Sequence, residues 1–268
     1  STATLTGSSI AGVTAPVTYR WYASQTATTP LATGATFTTP ALTATTTYYV
    51  SVEGGNYCEN EINTRKAVTV TVNGALTPGA IGTAQAICYN TPPAGFTQTT
   101  APTGGTGTYT YQWQNSPDNS TWTNITGATA ATYAPGQLTA NTYYRRAVTS
   151  GTCGTVYSAS ILITVNPAVT VNAIADKTAC AGTTVTATAF TSPTSGATFS
   201  WANSNPSIGL AAGGTGNLPQ FTAAQAGEAI ITVTPIYNGC NGKARTFTIR
   251  INPCVVPVNP HLRVRTPE

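Results

Sequence analysis

Charge is scarce in this chain: of 268 residues only 7% are Asp, Glu, Lys or Arg, with seven carboxylates and a single histidine. The carboxylates, Glu53, Glu59, Glu61, Asp118, Asp176, Glu228 and Glu268, are scattered. A Ser-His-Asp set cannot be assembled from them and His261, which lies near the C-terminus. No loop carries the several acidic oxygens that calcium needs, and no CxxC pair offers zinc-ligand spacing. No catalytic residue, metal site or cofactor is therefore expected. The net charge of +4 comes from dispersed basic residues, with one local run at His261, Arg263 and Arg265. That pattern does not make the basic face of a nucleic-acid partner. No stretch approaches the ~20 apolar residues that span a bilayer as a helix, so no membrane insertion is expected.

Strong helix formers are also few, whereas threonine makes up about a fifth of the residues, far above ordinary usage. Thr, Val, Ile and Tyr suit pleated strands because a β-branched or aromatic side chain fits a half-buried sheet surface. Strand-like runs recur between turn clusters such as TGG at 103–105, SPDNS at 116–120 and NGCNG at 238–242. The fold class is read as all-β.

Three of these runs end alike: AVTVTVNG at 67–74, SILITVNP at 160–167 and TFTIRINP at 246–253. Asn73 and Asn166 are 93 positions apart, and Asn166 and Asn252 are 86 apart, each interval the length of a small β-sandwich. YRWY at 19–22 answers YQWQ at 111–114. Trp21, Trp113 and Trp201 recur at matching depth and are the expected core tryptophans. The reading is three tandem sandwiches, 1–73, 74–166 and 167–253, arranged as a rod. Residues 254–268 are a proline-rich extension or the start of a further unit.

The six cysteines fit this frame as structural bonds in an oxidising, extracellular setting. Cys88 and Cys153 stand 65 apart in the second module, and Cys180 and Cys240 hold matching places 60 apart in the third. The expected bonds are Cys88–Cys153 and Cys180–Cys240. On the same spacing the partner of Cys58 would fall ahead of Ser1, so the first module is read as N-terminally truncated. Cys58 and Cys254 are left unpaired or intermolecular, a Cys58–Cys254 bond being the alternative.

Few side chains suggest chemistry. Glu59 and Glu61 would share a face of an extended strand, but a solvated hairpin turn explains them better. SPDNSTW resembles the Asp-box hairpin of sialidases, one residue short, which makes Asp118 and Asn119 turn formers. Trp122 after that turn is a candidate glycan contact, since exposed aromatics mark interaction surfaces.

The stretch from TYRWYASQ to RKAVTVTV resembles the immunoglobulin-like repeats of very large secreted surface proteins of Bacteroidota, gliding-motility adhesins among them. YQWQNSPDNSTW through YYRRAVTSGTC resembles a second repeat type of those proteins. CAGTTVTATAF through NGCNGKARTFTIRINP is similar to the PKD-like repeat found beside them. The resemblance implies export to the bacterial cell surface, often by a type IX route, and a role as stalk or adhesive surface. Repeats of the first type open with a cysteine and a glycine just before the STATLT-like strand. The expected function is a non-enzymatic stalk segment of a surface adhesin or filament. Alternatives are a self-assembling extracellular fibre joined by strand addition, through 2–7 or the 255–265 tail, and a glycan-binding adhesive module. Expected partners are neighbouring repeats, other copies of the chain, or surface polysaccharide.

Overall fold

In a computed structural model of the chain, which describes residues 1–8, 13–55 and 57–254, strands form where β-branched and aromatic residues alternate. The described residues are all-β apart from two short 3-10 turns, and no helix among them is long and apolar enough to cross a membrane. Most of the 254–268 segment, and with it the tail proposed for strand addition, lies outside the described residues.

The first stretch contributes β1 (Thr4–Thr6), β2 (Thr18–Tyr22), β3 (Ala32–Thr33), β4 (Thr36–Thr38), β5 (Thr46–Glu53) and β6 (Lys66–Val70). Their larger sheet runs β3-β2-β5-β6, and β1 pairs antiparallel with β4 across from it. Trp21 is 1% exposed and stacks on Phe37 at 5.8 Å, with Tyr48 edge-on to the same ring.

The second stretch holds β7 (Ala80–Ile81), β8 (Gln85–Cys88), β9 (Gln98–Thr100), β10 (Thr110–Ser116), β11 (Thr123–Asn124), β12 (Thr142–Thr149), β13 (Thr155–Tyr157) and β14 (Ile161–Asn166). Its main sheet runs β11-β10-β12-β14-β8, with β13 also on β12, and β7 pairs β9 opposite. Trp113 is fully buried among Ile81, Phe96, Tyr144, Ile161 and Ile163.

The third stretch holds β15 (Lys177–Cys180), β16 (Thr184–Val185), β17 (Thr198–Asn203), β18 (Gly213–Thr215), β19 (Phe221–Thr222), β20 (Gly227–Tyr237), β21 (Cys240–Asn241) and β22 (Arg245–Asn252). Its sheet runs β15-β22-β20-β17-β18, with β21 on β20 and the pair β16-β19 opposite. In β20 the period-two pattern is plain: Ala229, Ile231 and Val233 face a core that includes Trp201, while Ile230 on the other face is exposed.

Threonine lines the solvent faces as hydroxyl pairs across strands and isolated bridges: Thr47 with Thr69 at 2.9 Å, Thr77 with Thr103 at 2.7 Å, and Thr149 with Thr155 at 2.7 Å. Such pairs satisfy polar groups without charge, which accounts for the composition.

The strand directions decide which cysteines can meet. β8 runs parallel to β14 and sets Cys88 opposite Asn166, at the end where the chain leaves the second module. β12 is antiparallel to β14, so the turn after it carries Cys153 to the other end. The third module repeats this: Cys180 lies opposite Asn252, and Cys240 follows β20 at the entering end. The expected Cys88–Cys153 and Cys180–Cys240 bonds would each have to span a sandwich from end to end, beyond the reach of a disulfide. The structure joins Cys88 to Cys240 across the boundary between the second and third stretches, with Cα atoms 5.5 Å apart. Cys180 bonds Cys254, Cα to Cα 5.3 Å, so Cys254 is neither unpaired nor intermolecular. Cys58 and Cys153 carry free, exposed thiols.

Candidate functional site

The features that set this chain apart from three independent sandwiches lie at the junctions. At the second junction the chain turns from β14 through Pro167 and runs beside the β20-β21 hairpin, where Thr170 bridges Lys243 in parallel. Gly242 makes this approach feasible, since a Cβ there would stand 1.9 Å from the Val169 carbonyl oxygen. Val169 itself is buried. The Asn166 side chain ties the corner together: its Nδ2 donates to Cys240 Sγ at 3.6 Å, and its Oδ1 accepts from Asn238 Nδ2 at 3.1 Å. The Cys88–Cys240 bond closes the same corner covalently.

The first junction is built on the same plan with different residues. The linker after Asn73 runs along the TGG turn: Gly105 N donates to the Gly74 carbonyl at 2.9 Å, and Thr77 exchanges backbone bonds with Thr103. Gly104, at φ +75°, leaves no room for a side chain, because a Cβ would lie 2.0 Å from the Ala75 oxygen. Buried Ser150 fixes this turn by accepting from Thr106 N at 2.9 Å and donating to Thr108 O at 2.9 Å. Asn73 Nδ2 donates to Cys153 Sγ at 3.8 Å, the contact that Asn166 makes with Cys240. The turn cluster at 103–105 therefore serves as a seat for the linker as well as a reversal.

Two arginines brace the modules from inside. Arg146 is fully buried and donates to Gln98 Oε1, Ala131 O and Pro78 O at 3.0, 2.6 and 3.1 Å, with its guanidinium 4.6 Å from the Tyr111 ring centre. In the first module Arg65 lies 3.4 Å over the Tyr22 ring and donates to Ala27 O at 2.5 Å.

Glu59 is not the solvated turn residue expected of it. It accepts from Ser51 Oγ at 2.6 Å, from Tyr22 OH, and from Arg20 at 3.0 Å, with Arg65 at 4.0 Å. Glu61, by contrast, is exposed. Burial would push the Glu59 carboxyl up, but the hydrogen bonds from Ser51 and Tyr22 and the charges of Arg20 and Arg65 outweigh it and hold the group below its ordinary value. A folded value below the unfolded one means that Glu59 contributes stability above about pH 4.3, and that this is lost as pH falls through the folded value. Calorimetric scans from pH 7 to 2 are expected to show a flatter acid limb for the first module in Glu59→Gln, along with a lower midpoint at neutral pH. Parallel curves for the two proteins would remove Glu59 from the acid response.

Asp118 is a turn former: its Oδ1 accepts from Ser120 N and Thr121 N, both at 2.8 Å, and from Ser116 Oγ, which pulls its pKa well down, while Asn119 sits at φ +60°. Trp122 is half-buried, and the Arg145 guanidinium lies 4.1 Å from its ring centre and 4.0 Å from that of Tyr157. That cation covers one face of the Trp122 ring. Among the described residues no three His, Cys, Asp or Glu side chains gather as a metal-binding group.

Residues 1–73 match a family described as "Ig-like domain CHU_C associated", and residues 77–167 match a domain of unknown function (DUF8696). No curated protein matches the sequence. Among solved structures, extracellular domains 3–5 of Drosophila OTK are 12% identical with a TM-score of 0.40, the likeness covering 94% of this chain and 92% of that one. The three N-terminal domains of the bacteriophage RB49 highly immunogenic outer capsid protein are 15% identical at a TM-score of 0.41, covering 95% of each chain. Likeness at that level carries no functional weight.

Proposed function

We propose that the chain is a non-enzymatic stalk segment of a secreted bacterial surface adhesin or filament, extending and presenting a binding region. In this reading 1–73, 74–166 and 167–253 are sandwiches set in a rod, exported to the cell surface by a type IX-like route, with neighbouring repeats as the main partners. The observation that carries it is the Cys88–Cys240 bond, which joins consecutive sandwiches and leaves their junction little freedom. Linkers that hydrogen-bond the next module along their length act in the same direction. The resemblance to repeats of large Bacteroidota surface proteins, gliding-motility adhesins included, and the Ig-like match over the first module support the setting.

A second reading, a fibre assembled by strand addition, draws on the open edge of β6, which no strand among the described residues covers. The 2–7 segment does not supply such a strand, since β1 is already paired with β4. Size-exclusion chromatography with light scattering, run with glycan-binding assays, separates these readings. A stalk is an elongated monomer at all concentrations with no saturable sugar binding. Concentration-dependent polymers would favour the fibre, and saturable binding lost in Trp122→Ala would favour the adhesive module.

A further inference from the structure

Beyond the stalk reading, and separable from it, we propose that the leaving end of the third module is an interface for the first module of a second copy of this chain, sealed when Cys58 of that copy takes Cys180 from Cys254. The junctions inside the chain supply the template, and the chain carries both halves of one more, each without its mate.

The leaving end repeats a seat that is filled elsewhere. Cys180 closes β15 opposite Asn252 of β22, in the parallel register that sets Cys88 opposite Asn166. Cys88 is bonded to Cys240, which lies in the turn before the last strand of the next module. The terminator asparagines behave alike at both internal junctions: Asn73 Nδ2 donates to Cys153 Sγ at 3.8 Å and Asn166 Nδ2 to Cys240 Sγ at 3.6 Å, each sulfur belonging to the following module. Asn252 is exposed, and among the described residues its side chain makes no such contact.

What holds Cys180 is an addition to the repeat. The three terminators read Asn73-Gly74-Ala75, Asn166-Pro167-Ala168 and Asn252-Pro253-Cys254, so a cysteine stands where both other repeats have alanine. Cys254 is exposed, and its bond to Cys180 occupies the sulfur that the following module takes at the second junction.

The first module offers the complementary half. β5 pairs antiparallel with β6 as β12 does with β14 and β20 with β22, and Cys58 lies between its two strands as Cys153 and Cys240 lie between theirs. Its thiol is free and exposed, and no asparagine among the described residues contacts it. Cys153 is free as well, but Asn73 of its own chain already lies against it. Cys58 is therefore the thiol whose junction face is open. Two different surfaces meet in this contact, so it does not close on itself and copies add in a row.

The exchange needs no oxidant. The Cys58 thiolate forms a bond to Cys180 Sγ, the Cys180–Cys254 bond breaks, and Cys254 leaves as a thiolate that takes up the proton Cys58 released. One thiol and one disulfide are consumed, and one of each is produced.

The test holds the full chain, thiols unblocked, at about pH 8 under nitrogen, where thiolate is available, and quenches samples by alkylation. Non-reducing electrophoresis is expected to show a ladder of whole-chain multiples, and peptide mapping a Cys58–Cys180 bond with Cys254 alkylated in equal number. Cys58→Ser should abolish the ladder and Cys153→Ser should leave it. Asn252→Ala should slow its growth about threefold, since the amide no longer seats the incoming sulfur. Monomers only, linkage through Cys153 or to Cys254 Sγ, a Cys58–Cys180 bond within one monomer, or a ladder indifferent to Asn252→Ala would each overturn the proposal. Chain alkylated beforehand at Cys58 and Cys153 tests the stalk reading by itself: polymers in that sample would count against the stalk, whereas the exchange is judged only on the unblocked one.

Discussion

Held by its two ends and pulled to full unfolding, the oxidised chain is expected to extend about 500 Å less than the same chain after reduction, because the bond between Cys88 and Cys240 spans 152 positions and an extended residue contributes about 3.3–3.6 Å. Tension entering at Ser1 reaches Cys88, crosses the sulfur bridge to Cys240 and leaves through the last strand. Most of the second and third modules lies off that path and carries no load. Cys180–Cys254 adds nothing while the junction bond is present, since the route from Cys240 to Cys254 is the shorter one. It becomes the controlling bond in Cys240→Ser, where only 74 positions are shielded and the deficit falls to about 250 Å. Optical-tweezer traces with and without reductant measure both lengths. Equal lengths before and after reduction would mean that the junction is not bonded.

Replacing Arg146 with valine is expected to lower the stability of the second module by roughly 2–5 kcal/mol, although Val50 and Val233 fill the matching place opposite the tryptophan in the other two modules. Arg146 is paired with no carboxylate; it is held by two backbone carbonyls, one amide oxygen and the face of Tyr111. Burial pushes its pKa down, but a guanidinium stays charged across the accessible range. Its three acceptors come from the leading segment at Pro78, from β9 at Gln98 and from the Ala131 loop, so one side chain fastens three pieces to β12. Valine would leave those oxygens unpaired in the interior and a gap where the guanidinium lay. Urea melts followed by near-ultraviolet circular dichroism, with hydrogen exchange to localise the loss, give the magnitude. A change under about 0.5 kcal/mol would show that water replaces the guanidinium at no cost.

The all-β class was legible because β-branching and alternation act locally, as β20 shows with every second residue facing the core. Cysteine pairing was not legible from spacing, because matching positions in two repeats fix equivalence and say nothing about which end of a sandwich each residue reaches. The signal was nonetheless present. A cysteine closing the first strand, when that strand is parallel to the last one, must lie beside the asparagine terminator, and a cysteine in the turn before the last strand must lie one strand length away. Glu59 was missed for a related reason: its acceptor role depends on Arg20, Tyr22 and Ser51 arriving from β2 and β5, which no local pattern encodes. Nothing in YYRR distinguishes the two arginines, since which one turns inward depends on strand register: Arg146 is buried, whereas Arg145 lies against Trp122 and Tyr157.

Each of the last two modules carries one cysteine where the chain enters and another where it leaves. Duplicating such a module inserts a matched pair of half-bonds, so the new entering end meets the old leaving end and the reverse holds on its far side. Deletion of a whole module heals in the same way. The covalent period is displaced by half a step from the folding period, and an array whose interactions are confined to nearest neighbours can gain or lose units at the level of the gene without leaving any internal boundary open.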